Sequence, residues 1–289
     1  MSGRWTARRA RFRALLAGEV CVHPGSVYDP ISARIAEDLG FECGMFAGST
    51  ASLTVLGAPD NITITLTEFA EQARRICRAG ELPLMVDADH GYGNALSVMR
   101  TIEELETAGI AGLSIEDTEL PDPYGSAGKP RVLSIAEGVG KMRAAVAARR
   151  DPDLVIAGRT SAVTITGLDD CVARVRAYSD TGVDAIFVVG IRTPEQLVAI
   201  TGATRLPLVL AGLPPALVDC AALARRGVRL CLQGHQPIQA AVAAVHATLA
   251  ALRAGTDPAA LGGLASPALM KQVTRAAAYD AATRDYLGG

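Results

Sequence analysis

The sequence lacks any large excess of charge of one sign. Its 289 residues include 28 basic and 30 acidic side chains, which gives a formal net charge of -2. Proteins that bind nucleic acid or anionic membranes through electrostatics need a basic patch or stripe, and none stands out along this chain. We therefore expect small-molecule partners, with no nucleic acid and no membrane among them.

Paired cysteines and a secretion signal are also missing. The six cysteines form no CxxC pair and have no histidine at metal-like spacing; they stand at positions 21, 43, 77, 171, 220 and 231. Most of them lie in apolar segments, where a cysteine packs as a small hydrophobic residue. The N-terminal segment 4–13 has five arginines but no apolar core and no cleavage-site pattern, which argues against a signal peptide. We expect a short amphipathic helix there, reduced thiols and a cytoplasmic protein.

One uncharged stretch, residues 230–252, has the length of a membrane span. It contains Gln233, His235, Gln236, Pro237, Gln239 and His246 among many alanines, which is unlike a span. A buried strand followed by an alanine-rich packed helix explains this stretch better.

What the chain does contain is a repeated alternation of strands and helices. With 49% hydrophobic and 20% charged residues it can bury a large core, and a single domain over 1–289 is the expectation. Helical periodicity is clear at 66–78, 95–108, 135–148 and 168–181, and a helical extension from about 255 includes 267–286. Eight short apolar runs alternate with the helical segments, and we predict them to be strands: 20–23, 44–49, 82–87, 111–116, 154–159, 184–189, 206–211 and 228–234.

Eight strand–helix units fit two architectures of the α/β class. One is a closed (β/α)₈ TIM barrel, and the other is a doubly wound open sheet. Neither G-x-G-x-x-G after a strand nor G-x-x-x-x-G-K-[ST] occurs, so nucleotide binding on an open sheet loses its main support. The sequence favours the barrel.

Polar residues gather where the predicted strands end, which is where barrel enzymes build their active sites. Four of them are carboxylates, Asp60, Asp87, Asp89 and Glu116, and several negative charges in one pocket require a cation or a proton. Oxygen ligands indicate Mg²⁺, with Mn²⁺ possible, rather than zinc. We predict Asp87 as the direct metal ligand, with Asp89, Glu116 and Asp60 acting through bound water. The alternative for each acid alone is a solvated surface group or a helix cap.

Two further strand ends carry cationic or titratable side chains. Arg159 ends an apolar run at the mouth of the predicted barrel, where it could bind a substrate carboxylate in bidentate fashion or form a structural ion pair. His235 follows the eighth run and is either a substrate contact or a structural histidine. Ser49 ends the second run. For Asp117, next to Glu116, the main alternative to a role in the site is a structural role.

Taken together, these motifs resemble the phosphoenolpyruvate mutase and isocitrate lyase superfamily over most of residues 15–255. The resemblance rests on Asp87-Ala-Asp-His-Gly-Tyr-Gly-Asn94, Ser114-Ile-Glu-Asp117, Gly158-Arg-Thr160 and the upstream Asp60. It implies a (β/α)₈ barrel whose eighth helix is swapped between subunits, a homotetramer built as a dimer of dimers, Mg²⁺ near Asp87, and α-keto or α-hydroxy acid substrates.

The branch of the superfamily depends on the loop after Glu116. Isocitrate and methylisocitrate lyases carry a catalytic cysteine there, whereas residues 117–131 contain neither cysteine nor histidine. The chain is most similar to the oxaloacetate decarboxylase branch, whose substrate contacts then fall on Ser49, Arg159 and His235 and whose metal ligand falls on Asp87. That branch implies Mg²⁺-dependent decarboxylation of oxaloacetate to pyruvate and CO₂. We predict Arg159, His235 and Asp60 as the catalytic residues. The alternatives are a C–C bond lyase of the methylisocitrate or malate type, a phosphonopyruvate P–C bond enzyme, and a catalytically silent barrel that binds a keto acid.

Overall fold

The computed structural model describes residues 2–126 and 128–288. Its eight strands are β1 Gly25–Ser26, β2 Gly44–Ala47, β3 Leu84–Asp87, β4 Gly112–Glu116, β5 Val155–Thr160, β6 Ala185–Val189, β7 Leu208–Ala211 and β8 Val228–Leu232. The α-helices are α1 Ser2–Ala17, α2 Pro30–Asp38, α3 Gly48–Ala51, α4 Leu66–Ala79, α5 Ala95–Ala108, α6 Ile135–Ala148, α7 Ala162–Ile165, α8 Leu168–Ser179, α9 Pro194–Thr201, α10 Cys220–Arg225, α11 Gln236–Arg253, α12 Pro267–Thr274 and α13 Ala276–Leu287.

The eight strands form one parallel sheet in the order of the chain, from β1 to β8. Val22 closes the sheet, since it forms a parallel bridge with Leu230 of β8. Its N–H donates to the carbonyl of Arg229 at 3.0 Å, and the N–H of Cys231 donates to the Val22 carbonyl at 3.0 Å. The structure therefore confirms the predicted (β/α)₈ barrel over the open sheet.

The first strand is the one whose predicted position was wrong. The apolar run 20–23 contributes only the Val22 bridge, while the strand that pairs with β2 is Gly25–Ser26. Pro24 stands between the two and has no N–H to donate, so it interrupts the ladder at that point. Val22 bonds to β8 before the proline, and β1 bonds to β2 after it.

The interior of the barrel is filled from alternate positions of the strands. Its buried cluster includes Met45, Met85, Ala111, Val155, Ala157, Ala185, Phe187, Val209 and Leu230, together with Phe12 and Leu16 of α1. A Cβ added at Gly112 would lie 2.6 Å from the Phe12 ring, so α1 packs directly against the barrel strands. The predicted N-terminal helix is thus present, but two of its arginines are buried rather than on a solvated face. Arg8 pairs with Glu81, and Arg9 pairs with Asp151 at 2.7 Å.

Helix boundaries follow local capping. Helix α4, predicted at 66–78, starts after Thr65, whose hydroxyl accepts the N–H of Glu68 at 3.3 Å. The Glu68 carboxylate in return accepts the N–H of Thr65 at 2.9 Å, which completes a capping box. The helices predicted at 95–108 and 135–148 have these same bounds in the structure.

The chain separates into two compact units, with the boundary between Gly234 and His235. The second unit contains α11, α12 and α13. The helical region predicted at 267–286 is broken in the middle, because Arg275 has a left-handed φ of 60° between α12 and α13. Just before the break, the Thr274 hydroxyl donates to the Met270 carbonyl at 2.7 Å, a bond that often accompanies helix bending. A single domain with an extension from about 255 stays a prediction. Within the described residues, no helix is both long enough and apolar enough to cross a membrane.

Candidate active site

Three predicted site residues share the interior face of the barrel at the carboxyl ends of neighbouring strands. Side chains alternate between the two faces of a strand, so Asp87 lies on the same face as Met85 and Arg159 lies on the same face as Ala157. The register pairs Glu116 with Arg159 across β4 and β5, and it pairs Asp87 with Ser114 across β3 and β4. The parallel register thus brings two acids and one guanidinium into a single layer above the apolar interior.

Arg159 is the centre of this layer. Its Nη1 donates to Oδ2 of Asp87 in a short ion pair, and its Nη2 lies 3.6 Å from Oε2 of Glu116. The guanidinium carbon is 5.4 Å from the centre of the Phe187 ring. The sequence left two roles open for Arg159, binding of a substrate carboxylate and a structural ion pair. The structure shows an ion pair, and it involves two acids, Asp87 and Glu116. We call Asp87, Asp89, Glu116 and Arg159 the mouth cluster.

Neutral hydroxyls hold the two acids in place. The Ser114 hydroxyl donates to Oδ1 of Asp87 at 2.9 Å, and the Thr118 hydroxyl donates to Oε2 of Glu116 at 2.7 Å. Both hydroxyls were missed from the sequence. Ser114 could have been found, because the parallel register of two adjacent predicted strands places it beside Asp87.

The mouth cluster has more negative than positive charge. Burial, followed by the charges of Asp87 and Glu116, raises the pKa of Asp89 well above its ordinary value, against the opposing effect of Arg159. Burial also raises the pKa of Glu116, although Arg159 and the Thr118 hydroxyl oppose the shift. The same acids raise the pKa of Arg159 above that of a free guanidinium, although its burial acts in the opposite direction. Arg159 therefore stays charged, and it does not neutralise the three carboxylates.

Asp89 reaches this cluster from a turn after β3 rather than from a strand. Its φ is 47°, a left-handed conformation that aspartate tolerates better than most residues. Its side chain lies against the backbone of Gly48, where an added Cβ would come within 2.8 Å of Cγ of Asp89. Gly48 is therefore a site residue that the sequence did not indicate. Gly91 and Gly93, with φ of 73° and 145°, allow a tight turn beside the acids.

Asp117 follows Glu116 directly and has different surroundings. It is fully buried, and its Oδ2 accepts hydrogen bonds from Arg174 at 2.9 Å and from the Tyr178 hydroxyl at 2.6 Å, both on α8. Arg174 also donates to the carbonyl of Leu133 at 2.8 Å and to Asp170 at 2.7 Å. We call Asp117, Arg174, Tyr178 and Asp170 the outer cluster. Asp117 has the structural role that was its main alternative.

Three further predicted residues are Ser49, Asp60 and His235. Asp60 is exposed in the loop after β2 and is close enough to Asp89 to raise its pKa slightly. Ser49 is half-buried in α3, the turn that follows β2. His235 stands at the start of α11 in the second unit. The roles of Ser49, Asp60 and His235 stay predictions.

The described residues do not form a three-ligand metal site. Within residues 2–126 and 128–288, no three His, Cys, Asp or Glu side chains are grouped so that one metal ion could bind them. The donor chemistry nevertheless fits a hard divalent cation, because three buried carboxylates face only one guanidinium and the pKa of Asp89 is strongly raised. A carboxylate has about four lone-pair positions, so Asp87 can accept from Ser114 and Arg159 and still bind a cation. This arrangement suits one direct ligand with water between the ion and the other acids.

Comparison with known proteins gives the family. The family model described as phosphoenolpyruvate phosphomutase matches residues 12–253. The chain belongs to this family. An oxaloacetate decarboxylase from Bradyrhizobium sp. is 58% identical over 281 residues, which cover 97% of each chain. One from Rhodopseudomonas palustris is 59% identical over 272 residues, which cover 94% of each. The protein is thus an enzyme that resembles oxaloacetate decarboxylases.

Solved structures extend the comparison to more distant members of the superfamily. An oxaloacetate acetylhydrolase in complex with 3,3-difluorooxalacetate has a TM-score of 0.84 and 30% identity, with 98% of both chains covered. A phosphonopyruvate hydrolase in complex with oxalate and Mg²⁺ has a TM-score of 0.85 and 28% identity, with 97% of this chain and 99% of that one covered. These similarities confirm the TIM-barrel fold and the superfamily expected from the sequence.

Proposed function

We propose that the enzyme decarboxylates oxaloacetate to pyruvate and CO₂ with the help of Mg²⁺ bound beside Asp87. The observation that supports this most is the mouth cluster, in which the half-buried Arg159 side chain stands among three carboxylates at and just beyond the carboxyl ends of β3 to β5. Relatives that share 56–59% of their residues with this chain over nearly its full length are oxaloacetate decarboxylases. The same chemistry in this chain requires a group that binds a dianionic substrate and stabilises an enolate.

Mg²⁺ would be held by Asp87 directly and by Asp89, Glu116 and Asp60 through water. When bound, it supplies a Lewis acid that stabilises an oxygen on which negative charge develops. Mn²⁺, which accepts the same oxygen ligands, is expected to substitute for it.

The chemical step breaks the bond between C3 and C4 of oxaloacetate. The C4 carboxylate leaves as CO₂, the bonding electron pair passes through C3 to the C2 oxygen, and a proton added at C3 completes pyruvate. Arg159 is a charged donor that is fixed before the substrate arrives, because Asp87 and Phe187 hold its guanidinium. A fixed charge close to the developing enolate accelerates the reaction, since it stabilises the transition state more than the ground state.

Ser49 and His235 complete the proposed set of substrate contacts. Ser49 and the neighbouring backbone N–H groups would hold the C1 carboxylate. His235 would contact the departing carboxylate or lie close to the carbon that is protonated. Asp60, at the edge of the acidic group, would orient a water molecule near the metal.

The loop after Glu116 distinguishes decarboxylation from cleavage by a lyase. Residues 117–131 provide no cysteine or histidine that could act as the acid or base in C–C cleavage of a substituted malate. The ends of this loop are joined: Thr118 bridges Val132, and the Leu133 N–H donates to the Asp117 carbonyl at 2.8 Å. Cleavage of a substituted malate is therefore the weaker alternative.

A coupled pyruvate assay tests the proposal. Purified protein is mixed with oxaloacetate and Mg²⁺, and the background decarboxylation is subtracted with a protein-free blank at the same metal concentration. The Asp87→Ala variant is assayed in the same way. Asp169→Ala is a matched control, because Asp169 is a carboxylate in the first turn of α8, outside the mouth cluster. We expect turnover by the wild type and by Asp169→Ala that disappears with a chelator. Turnover unaffected by Asp87→Ala, or release of glyoxylate from a substituted malate in place of oxaloacetate decarboxylation, would contradict it.

A further inference from the structure

A group of three thiols and one imidazole, none of them part of the mouth cluster, lies between the residues just before β1 and helix α10. Its members come from distant parts of the chain: Cys21 and His23 from the start of the barrel, Cys220 from α10 and Cys231 from β8. The Sγ atom of Cys220 is 3.3 Å from Nε2 of His23. The other ring nitrogen of His23, Nδ1, is 2.6 Å from the carbonyl oxygen of Cys231.

The backbone carbonyl determines which tautomer His23 adopts. A carbonyl oxygen can only accept, so Nδ1 must carry the hydrogen in the bond to Cys231. In the neutral ring, Nε2 then carries a lone pair, and this lone pair faces the thiol of Cys220. The arrangement is a thiol next to a base whose orientation is fixed by a third group, which is the pattern that activates a nucleophilic cysteine.

A third thiol stands beside the first. Burial, followed by the proximity of Cys220 and Cys231, raises the pKa of the Cys21 thiol to about 12, which places Cys21 close to both of these cysteines. Burial, followed by Cys220, raises the pKa of Cys231 to about 11. Cys21 and Cys231 therefore remain protonated. Cys220 is half-buried, and its thiol is the one that contacts His23.

We propose that Cys220 and His23 form a peroxide-reactive thiol site, in which Cys220 is oxidised first and Cys21 then forms a disulfide with it. The proposal does not depend on the proposed function, because none of these residues belongs to the mouth cluster.

The two steps balance with a peroxide as the oxidant. The Cys220 sulfur, deprotonated by His23, attacks one oxygen of hydrogen peroxide; the O–O bond breaks, and the leaving hydroxide takes up the proton as water. Cys220 is now a sulfenic acid. The Cys21 thiol sulfur then attacks the Cys220 sulfur, the S–O bond breaks, and the leaving hydroxide takes up the Cys21 proton to form a second water. Two thiols have been oxidised to one disulfide, and one peroxide has been reduced to two waters.

Peptide mapping after limited peroxide treatment of the reduced, full-length protein tests this proposal. In the wild type, a peptide pair joined through Cys21 and Cys220 should appear before any other oxidised cysteine. In Cys21→Ser, which has no thiol to close the disulfide, dimedone should label Cys220. In Cys220→Ser, Cys21 should remain a thiol under the same treatment. Cys43→Ser is the matched control, since Cys43 is a buried cysteine outside the group, and it should react as the wild type does.

The role of His23 is measured as a rate. Adding His23→Gln to the Cys21→Ser background should slow dimedone labelling of Cys220 about tenfold, because the thiol loses the neighbouring base that accepts its proton. An unchanged rate, faster oxidation of Cys43 or Cys171 than of Cys220, or oxidation of Cys21 in Cys220→Ser would each overturn the proposal. If the His23 variant does not fold, Cys220→Ser still tests the proposal. Serine is close to cysteine in size, so this variant should fold, and oxidation of Cys21 in it would contradict the proposed order.

Discussion

Glu116 and Asp117 are neighbours in the chain, but they belong to two buried groups of charges with different properties. Glu116 faces the barrel interior with Asp87, Asp89 and Arg159, and there the acids outnumber the cation. Asp117 accepts hydrogen bonds from Arg174 and Tyr178 on α8. Breaking a buried ion pair is costly, whereas removing a charge from a group that already has too many of that sign is not. We therefore expect variants of the outer cluster to lose stability, and variants of the mouth cluster acids to lose activity.

Substitution of Arg159 should cause the largest combined loss of stability and activity. Replacement by alanine leaves Asp87 and Glu116 buried without their cation, which should cost about 3 kcal/mol of unfolding free energy. The kcat/KM for oxaloacetate should fall about a thousandfold, because the charge that stabilises the enolate is gone. Denaturant unfolding and the pyruvate assay measure the two losses.

Arg159→Lys separates these two effects. It should recover most of the stability, since it restores a charge, but little of the activity, since the planar fork is lost. A lysine variant with full activity would show that Arg159 acts only as a counter-charge.

Arg174 should affect stability alone. Arg174→Ala leaves Asp117 buried without its ion-pair partner and should lower the free energy of unfolding by about 3–4 kcal/mol. Tyr178→Phe, a smaller change that removes only the hydroxyl donor to Asp117, should cost about 1–2 kcal/mol. The kcat of the folded fraction should remain near that of the wild type in both variants. A large loss of kcat in Tyr178→Phe with unchanged stability would remove the distinction between the two clusters.

Gly48→Ala tests the close approach of Asp89. The new methyl group would collide with the Asp89 carboxylate, so kcat/KM should fall about tenfold or more, with a destabilisation of about 1–3 kcal/mol. Gly140→Ala is the matched control, because it lies within α6 and an added Cβ meets nothing within 4 Å. The control should stabilise the protein by about 1 kcal/mol and leave activity unchanged. Equal activity in both variants would contradict the assigned contact.

Asp89→Asn should give the smallest change in stability, and a favourable one. The substitution removes one buried negative charge beside Asp87 and Glu116, and asparagine also tolerates the left-handed backbone of this position. The free energy of unfolding in metal-free buffer should rise by about 1 kcal/mol, while activity falls. A clear loss of stability would mean that the Asp89 charge is already compensated in the folded protein.

The sequence predicted the parts of the site that follow from strand periodicity. Asp87, Glu116 and Arg159 end apolar runs, and parallel strands bring such ends together, so the strand pattern alone indicates that they lie close to one another. Gly48 and the Cys220–His23 pair could not be predicted, because those contacts depend on how a turn or a helix packs against residues far away in the chain. Pro24 is a sequence signal for the shifted first strand, because a proline interrupts a strand ladder. The sequence around Arg275 has no equally clear signal for the break between α12 and α13.

Binding of Mn²⁺, a spectroscopically visible substitute for Mg²⁺, tests the central claim most directly. Electron paramagnetic resonance titration of the wild type, Asp87→Asn and Tyr178→Phe would count the bound ions without relying on turnover. We predict one bound Mn²⁺ per chain in the wild type and in Tyr178→Phe, and loss of that binding in Asp87→Asn. Equally tight binding in Asp87→Asn, or no binding in the wild type, would contradict a metal-assisted active site at the mouth of the barrel.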